Sequence, residues 1–216
     1  MEFTSRLPKA YIQRYRGWRA TEFADNRSWY ARLANDGQRP RAMVIACCDS
    51  RVHVTSIFGA DAGEFFIHRN IANLIPPYKP DGDLHGTSAA IEYAVISLRV
   101  AHLIVLGHSG CGGVEACDKM CRGAAPELDL QSSFIGRWLD LLRSRHAHVA
   151  AECDTAARLR ALEEQAIRVS LENLMTFPYV LRDIEAGTLA LHGLWNDIGT
   201  GQLKTYDPEV DAFVAV

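Results

Sequence analysis

The most constraining feature of this chain is the alternation of short apolar runs with segments of helical periodicity. The runs Arg41–Ala46 and Ala101–Gly107 each end in a polar or glycine-rich turn, which predicts two buried strands followed by loops. Strands joined through helices pair in parallel. We therefore expect an α/β fold with a mostly parallel central sheet flanked by helices.

The remaining elements follow the same pattern. Further strands are predicted at Glu64–His68, Thr188–Trp195 and Gln202–Tyr206. Helices are predicted at Thr87–Leu98, Val114–Met120, Phe134–His146, Cys153–Met175 and Pro178–Glu185. The last two strands flank Asn-Asp-Ile-Gly-Thr-Gly, a hairpin signal, so the sheet should have an antiparallel C-terminal edge strand.

The N-terminal segment differs from the rest in charge and aromatic content. With 216 residues we expect a single domain, 1–216, in which 1–36 form a long helical arm. Residues 1–41 carry nine Lys or Arg against four Asp or Glu, and several aromatic side chains lie among them. We expect this arm to pack on a partner subunit, although packing on its own domain is the alternative. No nucleic-acid motif accompanies the charge, so no nucleic-acid partner is expected.

The cysteines bear on compartment and chemistry. No uninterrupted apolar run reaches the ~18 residues of a membrane span, and the first 20 residues are polar and Arg-rich, unlike a secretory signal. We therefore expect no membrane association and a reducing, cytoplasmic location. There the six cysteines would be metal ligands, reactive thiols or small buried hydrophobes.

The turn Gly107–Gly113 contains the first candidate ligands. It lacks the closing Lys of a P-loop and the third glycine of a dinucleotide motif. It does space His108 and Cys111 so that an imidazole and a thiolate can reach one metal, a combination that zinc prefers. Cys47, at the end of the first strand, can add a third ligand if the two strands are neighbours. Three protein ligands leave a fourth position open, as in catalytic zinc sites.

Asp49 and Arg51 follow Cys47 closely. Two thiolates and a neutral imidazole formally cancel the charge of Zn²⁺, so such a site should acidify a bound water less than a three-histidine site. A carboxylate that accepts the water's hydrogen bond would then help the reaction. The guanidinium of Arg51 can hold the Asp49 carboxylate off the metal and keep it ionised.

Together, Cys47-Cys-Asp-Ser-Arg51 and His108-Ser-Gly-Cys-Gly-Gly113 resemble the paired motifs of the beta-class carbonic anhydrases. Cys47 and His108 are 61 residues apart, close to the interval in the family pattern. The resemblance extends over about residues 1–208 and includes Phe66–Asn73, Gly86–Tyr93 and Leu191–Ile198. It implies zinc-dependent reversible hydration of carbon dioxide to bicarbonate and a proton, by a zinc-bound hydroxide that an Asp–Arg dyad orients. It also implies one zinc per subunit and a homo-oligomer with a dimer as the building unit.

By this resemblance, Cys47, His108 and Cys111 bind the metal, and Asp49 and Arg51 form the catalytic dyad. The substrate-binding residues that it implies are Gln38, Phe66, Ile71, Tyr93 and the backbone N–H of Gly112. An apolar wall suits an uncharged substrate, although simple core packing accounts equally well for Ile71.

One subtype of the family binds bicarbonate with a tryptophan and a glycine just before its first cysteine. Val44 and Ala46 occupy those places, which favours the open, plant-type subtype. Arg69 is widespread in the family and does not decide the subtype.

Other interpretations remain open. His108, Cys111, Cys117 and Cys121 could form a closed structural zinc site on a binding module. That hypothesis leaves Cys47, Asp49 and Arg51 without a role. Relatives on a similar scaffold hydrolyse carbon disulfide or carbonyl sulfide, although the Asp-Ser-Arg run and Gln38 favour carbon dioxide. His146 and His148 are interpreted as solvated surface side chains.

Overall fold

The computed structural model describes residues 3–82, 85–149 and 154–216. The chain forms two compact units, one with the residues up to Arg39 and one with Pro40–Val216. The helices of the first unit are α1 Lys9–Ala20, α2 Glu22–Asp25 and α3 Arg27–Asp36. The ring of Trp18 lies against three other aromatic rings of this unit, those of Tyr15, Phe23 and Tyr30. The arm is therefore helical, as expected, and its contact with a partner subunit stays a prediction.

Within the described part of the second unit, six strands form one sheet. They are β1 Ala42–Cys47, β2 Phe65–Asn70, β3 His102–His108, β4 Ala190–Asn196, β5 Leu203–Asp207 and β6 Ala212–Ala215. Their order is β2-β1-β3-β4-β5-β6. The four strands from β2 to β4 in this order are parallel, and β5 and β6 are antiparallel. The fold class is confirmed, and β6 extends the antiparallel edge by one strand beyond the predicted ones.

The helices of the second unit match most of the predicted ones. They are α4 Val54–Phe58, α5 His85–Glu92, α6 Gly112–Cys121, α7 Phe134–His146, α8 Thr155–Leu174 and α9 Pro178–Glu185. The predicted helix Thr87–Leu98 is α5 continued by one π-helical segment, Tyr93–Ser97. The predicted start of α8 at Cys153 lies outside the described residues. No helix among the described residues is long and apolar enough to span a bilayer.

Strand β1 is buried along its whole length. It has a parallel neighbour on each side and apolar clusters on both faces, the usual environment of an inner parallel strand. Ala46 of β1 pairs with Leu106 of β3. The carboxyl ends of β1 and β3 are therefore adjacent, which confirms the neighbour relationship that the predicted metal site requires.

Candidate metal centre

Three buried side chains, Cys47, His108 and Cys111, converge where β1 and β3 end. Their ligand atoms all lie within 4.8 Å of one another, and the two Sγ atoms are 3.9 Å apart. Two thiolates on one tetrahedral zinc would lie ~3.8 Å apart, given Zn–S bonds of ~2.3 Å. Among the described residues this is the only such group of His, Cys, Asp and Glu side chains. The donor set therefore fits zinc in type, number and spacing.

The orientation of His108 supports the same conclusion. Its Nδ1 lies 3.0 Å from the carbonyl oxygen of Ser109, so Nδ1 carries the proton and donates it. The other ring nitrogen, Nε2, is buried and has no hydrogen-bond partner in the described part of the chain. Buried polar atoms are normally paired, and a metal ion is a common partner of a neutral imidazole nitrogen.

The two thiols affect each other's protonation. A hydrogen bond from Cys111 lowers the pKa of the Cys47 thiol below its usual range, and burial acts in the opposite direction. The same contact, together with burial, raises the pKa of Cys111 above its usual range. The contact thus favours loss of the proton from Cys47 rather than from Cys111, which suits a group of side chains that could hold a cation.

The turn after β3 depends on glycine at two positions. Gly110 has a φ of 64°, in the left-handed region that favours glycine. A Cβ on Gly113 would lie 2.7 Å from Cγ2 of Ile71, so the start of α6 needs glycine to approach the segment after β2. These two glycines let the turn aim Cys111 toward Cys47.

Asp49 lies beside the candidate metal position and is held by Arg51. Arg51 donates from Nε to Oδ1 at 2.9 Å and from Nη2 to Oδ2 at 2.7 Å. These hydrogen bonds hold the pKa of the Asp49 carboxyl well below its usual range. Oδ2 is 3.9 Å from Nε2 of His108. The carboxylate is thus ionised and close to the metal ligands.

The substrate-binding residues implied by the resemblance lie in several places. The rings of Phe66 and Tyr93 meet, with centroids 5.8 Å apart, and Tyr93 is about half exposed. Ile71 is partly exposed beside Gly113. Gly112 is the first residue of α6, where backbone N–H groups have no partner within the helix. Gln38 lies in the first unit and is exposed.

Two side chains support the ligand segments without having been assigned that role from the sequence. Arg69 donates to the carbonyl oxygens of Cys47 and Asp49, at 2.9 and 2.7 Å. Glu163 of α8 is buried, and its Oε1 accepts hydrogen bonds from the N–H groups of Gly110 and Cys111. In the sequence, the feature that indicates a buried role for Glu163 is its position on the apolar stripe of α8, where an ordinary solvated glutamate is not expected.

The closed four-ligand site of the alternative hypothesis does not form. Cys117 is buried in an apolar cluster with its Sγ 3.9 Å from the carbonyl oxygen of Leu139.

The interpretation of His146 as a solvated side chain was wrong. Its Nε2 lies 2.9 Å from the buried carboxylate of Asp118, because α7 packs against α6. His148 is exposed, as expected.

Comparisons with known proteins agree with this geometry. A family model described as carbonic anhydrase matches residues 42–203. The chain is 36% identical over 184 residues to beta carbonic anhydrase 5, chloroplastic, of Arabidopsis thaliana. The aligned region is 84% of this chain but only 58% of the plant protein, so the chain spans little more than half the length of that relative. The structure of the beta-carbonic anhydrase CcaA superposes with a TM-score of 0.87 at 29% identity, covering 96% of this chain and 91% of the other.

A tetrameric beta-carbonic anhydrase of the filamentous ascomycete Sordaria macrospora gives a TM-score of 0.78 at 31% identity, covering 91% of this chain and 95% of the other. The matched region contains both ligand segments and the whole parallel part of the sheet. The chain therefore belongs to the beta class of the carbonic anhydrase family.

Proposed function

We propose that this protein catalyses the zinc-dependent reversible hydration of carbon dioxide to bicarbonate and a proton. The observation that carries the proposal is the unpaired, buried Nε2 of His108. It lies between two cysteine thiols and a carboxylate that Arg51 keeps ionised. Family membership supports the same reaction.

Cys47, His108 and Cys111 would hold one Zn²⁺ per subunit. When bound, zinc lowers the pKa of a water molecule and so supplies a nucleophile near neutral pH. The hydrogen bond from His108 Nδ1 to the Ser109 carbonyl fixes the tautomer that presents Nε2 to the metal.

Asp49 and Arg51 orient the reacting water. The Asp49 carboxylate accepts a hydrogen bond from it, which turns an oxygen lone pair toward the carbon of carbon dioxide. Arg51 occupies both carboxylate oxygens of Asp49, so the carboxylate is less available as a metal ligand. This pairing, with Val44 and Ala46 in the strand, supports the open, plant-type subtype.

Phe66, Ile71 and Tyr93 would form the apolar wall that receives carbon dioxide. The side-chain amide of Gln38 and the N–H of Gly112 would donate hydrogen bonds to the oxygens of substrate and product. An apolar wall with two donors suits a linear, uncharged molecule that becomes an anion.

We also infer that residues 1–216 act as one domain and that two copies of the chain form a homodimer, the building unit of the assembly. We place this assembly in the cytoplasm. The first unit supports this assembly because Tyr11 and Tyr15 are 57% and 54% exposed, and α1 to α3 fully bury none of their own residues. Such aromatic surface is typical of protein interfaces. Light scattering should give at least the dimer mass at micromolar concentration, and a fully active monomer would refute the assembly.

The direct test is stopped-flow hydration of carbon dioxide, with metal analysis of the same sample. We expect one zinc per chain and rapid hydration that depends on it. Carbon disulfide and carbonyl sulfide are the competing substrates, so their turnover should be measured on the same preparation. Faster turnover of either sulfur compound would reject carbon dioxide as the substrate.

A further inference from the structure

We infer that Glu163 is a positioning residue that fixes both the Cys111 ligand and the Arg51–Asp49 pair by holding the turn at Gly110. Its effect on turnover rests on the proposed function, whereas its effect on metal binding does not. Glu163 lies in α8, 52 residues after Cys111, and is only 5% exposed.

Within residues 3–82, 85–149 and 154–216, the hydrogen bonds of the Glu163 carboxylate all come from N–H donors. Oε1 accepts from the N–H groups of Gly110 and Cys111, at 2.7 and 3.3 Å. Oε2 accepts from Nε1 of Trp195 in β4, at 2.9 Å. A buried carboxylate is costly unless such bonds compensate for its lost hydration. Three donors and no acceptor suit the ionised form, so the carboxylate is matched to this one position.

The turn that Glu163 holds leads directly into α6, which begins at Gly112. The N-terminus of a helix favours negative charge. The Glu163 carboxylate supplies it at Gly110 and Cys111, the two residues that precede α6. An apolar side chain of similar size would fill the space but leave three N–H groups without an acceptor. The role of Glu163 is therefore more specific than filling the core.

One peptide group links Glu163 to the pair beside the metal. The carbonyl oxygen of Gly110 accepts a hydrogen bond from Nη2 of Arg51 at 2.9 Å. That carbonyl and the N–H of Cys111 belong to the same planar peptide group, so neither can turn without the other. Glu163 holds the peptide from one side and Arg51 from the other. Loss of the carboxylate should therefore loosen both the Cys111 thiolate and the guanidinium that orients Asp49.

Glu163→Gln tests this inference. The amide keeps one oxygen but presents an NH₂ group either to the turn or to the Trp195 N–H. We expect zinc affinity, measured by competition with a chromophoric chelator, to fall by ~10–100-fold, as for other groups that orient metal ligands. The thiolate-to-cobalt absorption of the Co²⁺-substituted variant should also change. At saturating zinc, kcat should fall more than KM changes.

Asp118→Asn is the matched control, because it also removes a buried negative charge that contacts α8, through Arg158. It should lower the melting temperature and leave zinc affinity and the cobalt spectrum unchanged. Trp195→Phe is the second variant, since it keeps the Glu163 carboxylate and an aromatic ring but removes one donor. It should weaken zinc binding in the same direction but less, and it makes the inference testable even if Glu163→Gln does not fold.

Wild-type zinc affinity and cobalt spectrum in Glu163→Gln would overturn the inference. Unchanged zinc affinity in Trp195→Phe, or an equal loss of zinc affinity in Asp118→Asn, would do so as well. A wild-type protein that binds zinc but does not hydrate carbon dioxide would refute the proposed function instead. The metal-binding comparison between the variants would still test the role of Glu163.

Discussion

The guanidinium of Arg51 meets the Asp49 carboxylate through two parallel hydrogen bonds, of 2.9 and 2.7 Å, and the Arg51 backbone N–H adds a third of 3.0 Å. The turn is closed by a hydrogen bond from the Val52 N–H to the Asp49 carbonyl. The pair therefore forms locally, directly after the strand that ends in Cys47. Because both carboxylate oxygens are engaged, the direction of the remaining lone pairs is fixed.

Asp49→Asn and Arg51→Ala should each lower the turnover of carbon dioxide while zinc content stays close to one per chain. Asn offers a weaker acceptor, and without Arg51 the carboxylate is free to rotate. Loss of an oriented acceptor commonly costs ~10²-fold or more in proton-transfer chemistry. Stopped-flow rates and metal analysis measure the two quantities separately.

Arg182→Ala is the control for this prediction. Arg182 also contacts a neighbouring carboxylate, that of Asp183, at 2.7 Å, but it lies on α9 outside the candidate metal centre. Its removal should not change the rate. Wild-type turnover in Asp49→Asn or Arg51→Ala would show that the pair does not act in catalysis.

Removal of the metal should destabilise the protein. A ligand that binds only the folded state stabilises it by ~2.7 kcal/mol at a free concentration of 100 Kd. For a chain of this size each kcal/mol corresponds to ~2–4 °C, so a chelator should lower the melting temperature by ~5–10 °C. Cys47→Ser should abolish this response and the bound zinc. Cys117→Ser changes a cysteine outside the metal group and should retain both the bound zinc and the response to the chelator. Zinc at full stoichiometry in Cys47→Ser would contradict the ligand assignment.

The open subtype predicts the same metal environment at pH 7 and pH 8.5. The pKa of Asp49 is held well below both values by Arg51, so their pairing should not change over this interval. Activity should still rise with pH as a simple titration, because two thiolates and an imidazole acidify a metal-bound water less than three imidazoles do. Crystal structures of the zinc form at both pH values test the first expectation. Asp49 on the metal at pH 7, or cooperative inhibition by bicarbonate, would indicate the regulated subtype.

Asp118 should make stability depend on pH in the acid range. Burial opposes its ionisation, but hydrogen bonds from Arg158 and His146 outweigh this and hold the pKa of the Asp118 carboxyl below its usual range. Arg122, the residue directly after α6, also faces it, at 3.6 Å. A carboxyl whose pKa is lower in the folded than in the unfolded state stabilises the fold above the unfolded value of ~3.9, and the contribution disappears as pH falls through the folded value.

Asp118→Asn should therefore cost about 2 kcal/mol of unfolding free energy at pH 5.5, the usual size for a hydrogen bond to a charged group. The difference from the wild type should shrink as the pH is lowered below ~4. Urea unfolding of both proteins at several pH values measures it. A difference that stays constant down to pH 3 would show that the charge of Asp118 is not what stabilises the contact.

Local sequence determined the elements that carry chemistry. Apolar runs of strand length that end in turn residues predict β1 and β3. Cys47 and His108 end these strands, and Cys111 lies in the turn after β3. The Asp49–Arg51 pair is also local, since two residues in one turn can meet whatever the rest of the chain does. Both conclusions depend on spacing along the chain, which a single sequence displays directly.

Tertiary structure decided the contacts between distant segments. Glu163 meets Gly110 only because α8 packs across the end of β3, and His146 meets Asp118 only because α7 packs on α6. In a helix, charged residues usually face solvent. The position of Glu163 on the apolar stripe of α8 argues against that, but it does not reveal which donors the carboxylate meets. Burial of a charge depends on donors brought from elsewhere in the fold. Hydrophobic periodicity shows which face of a helix is covered, but the identity of the covering atoms is set by packing.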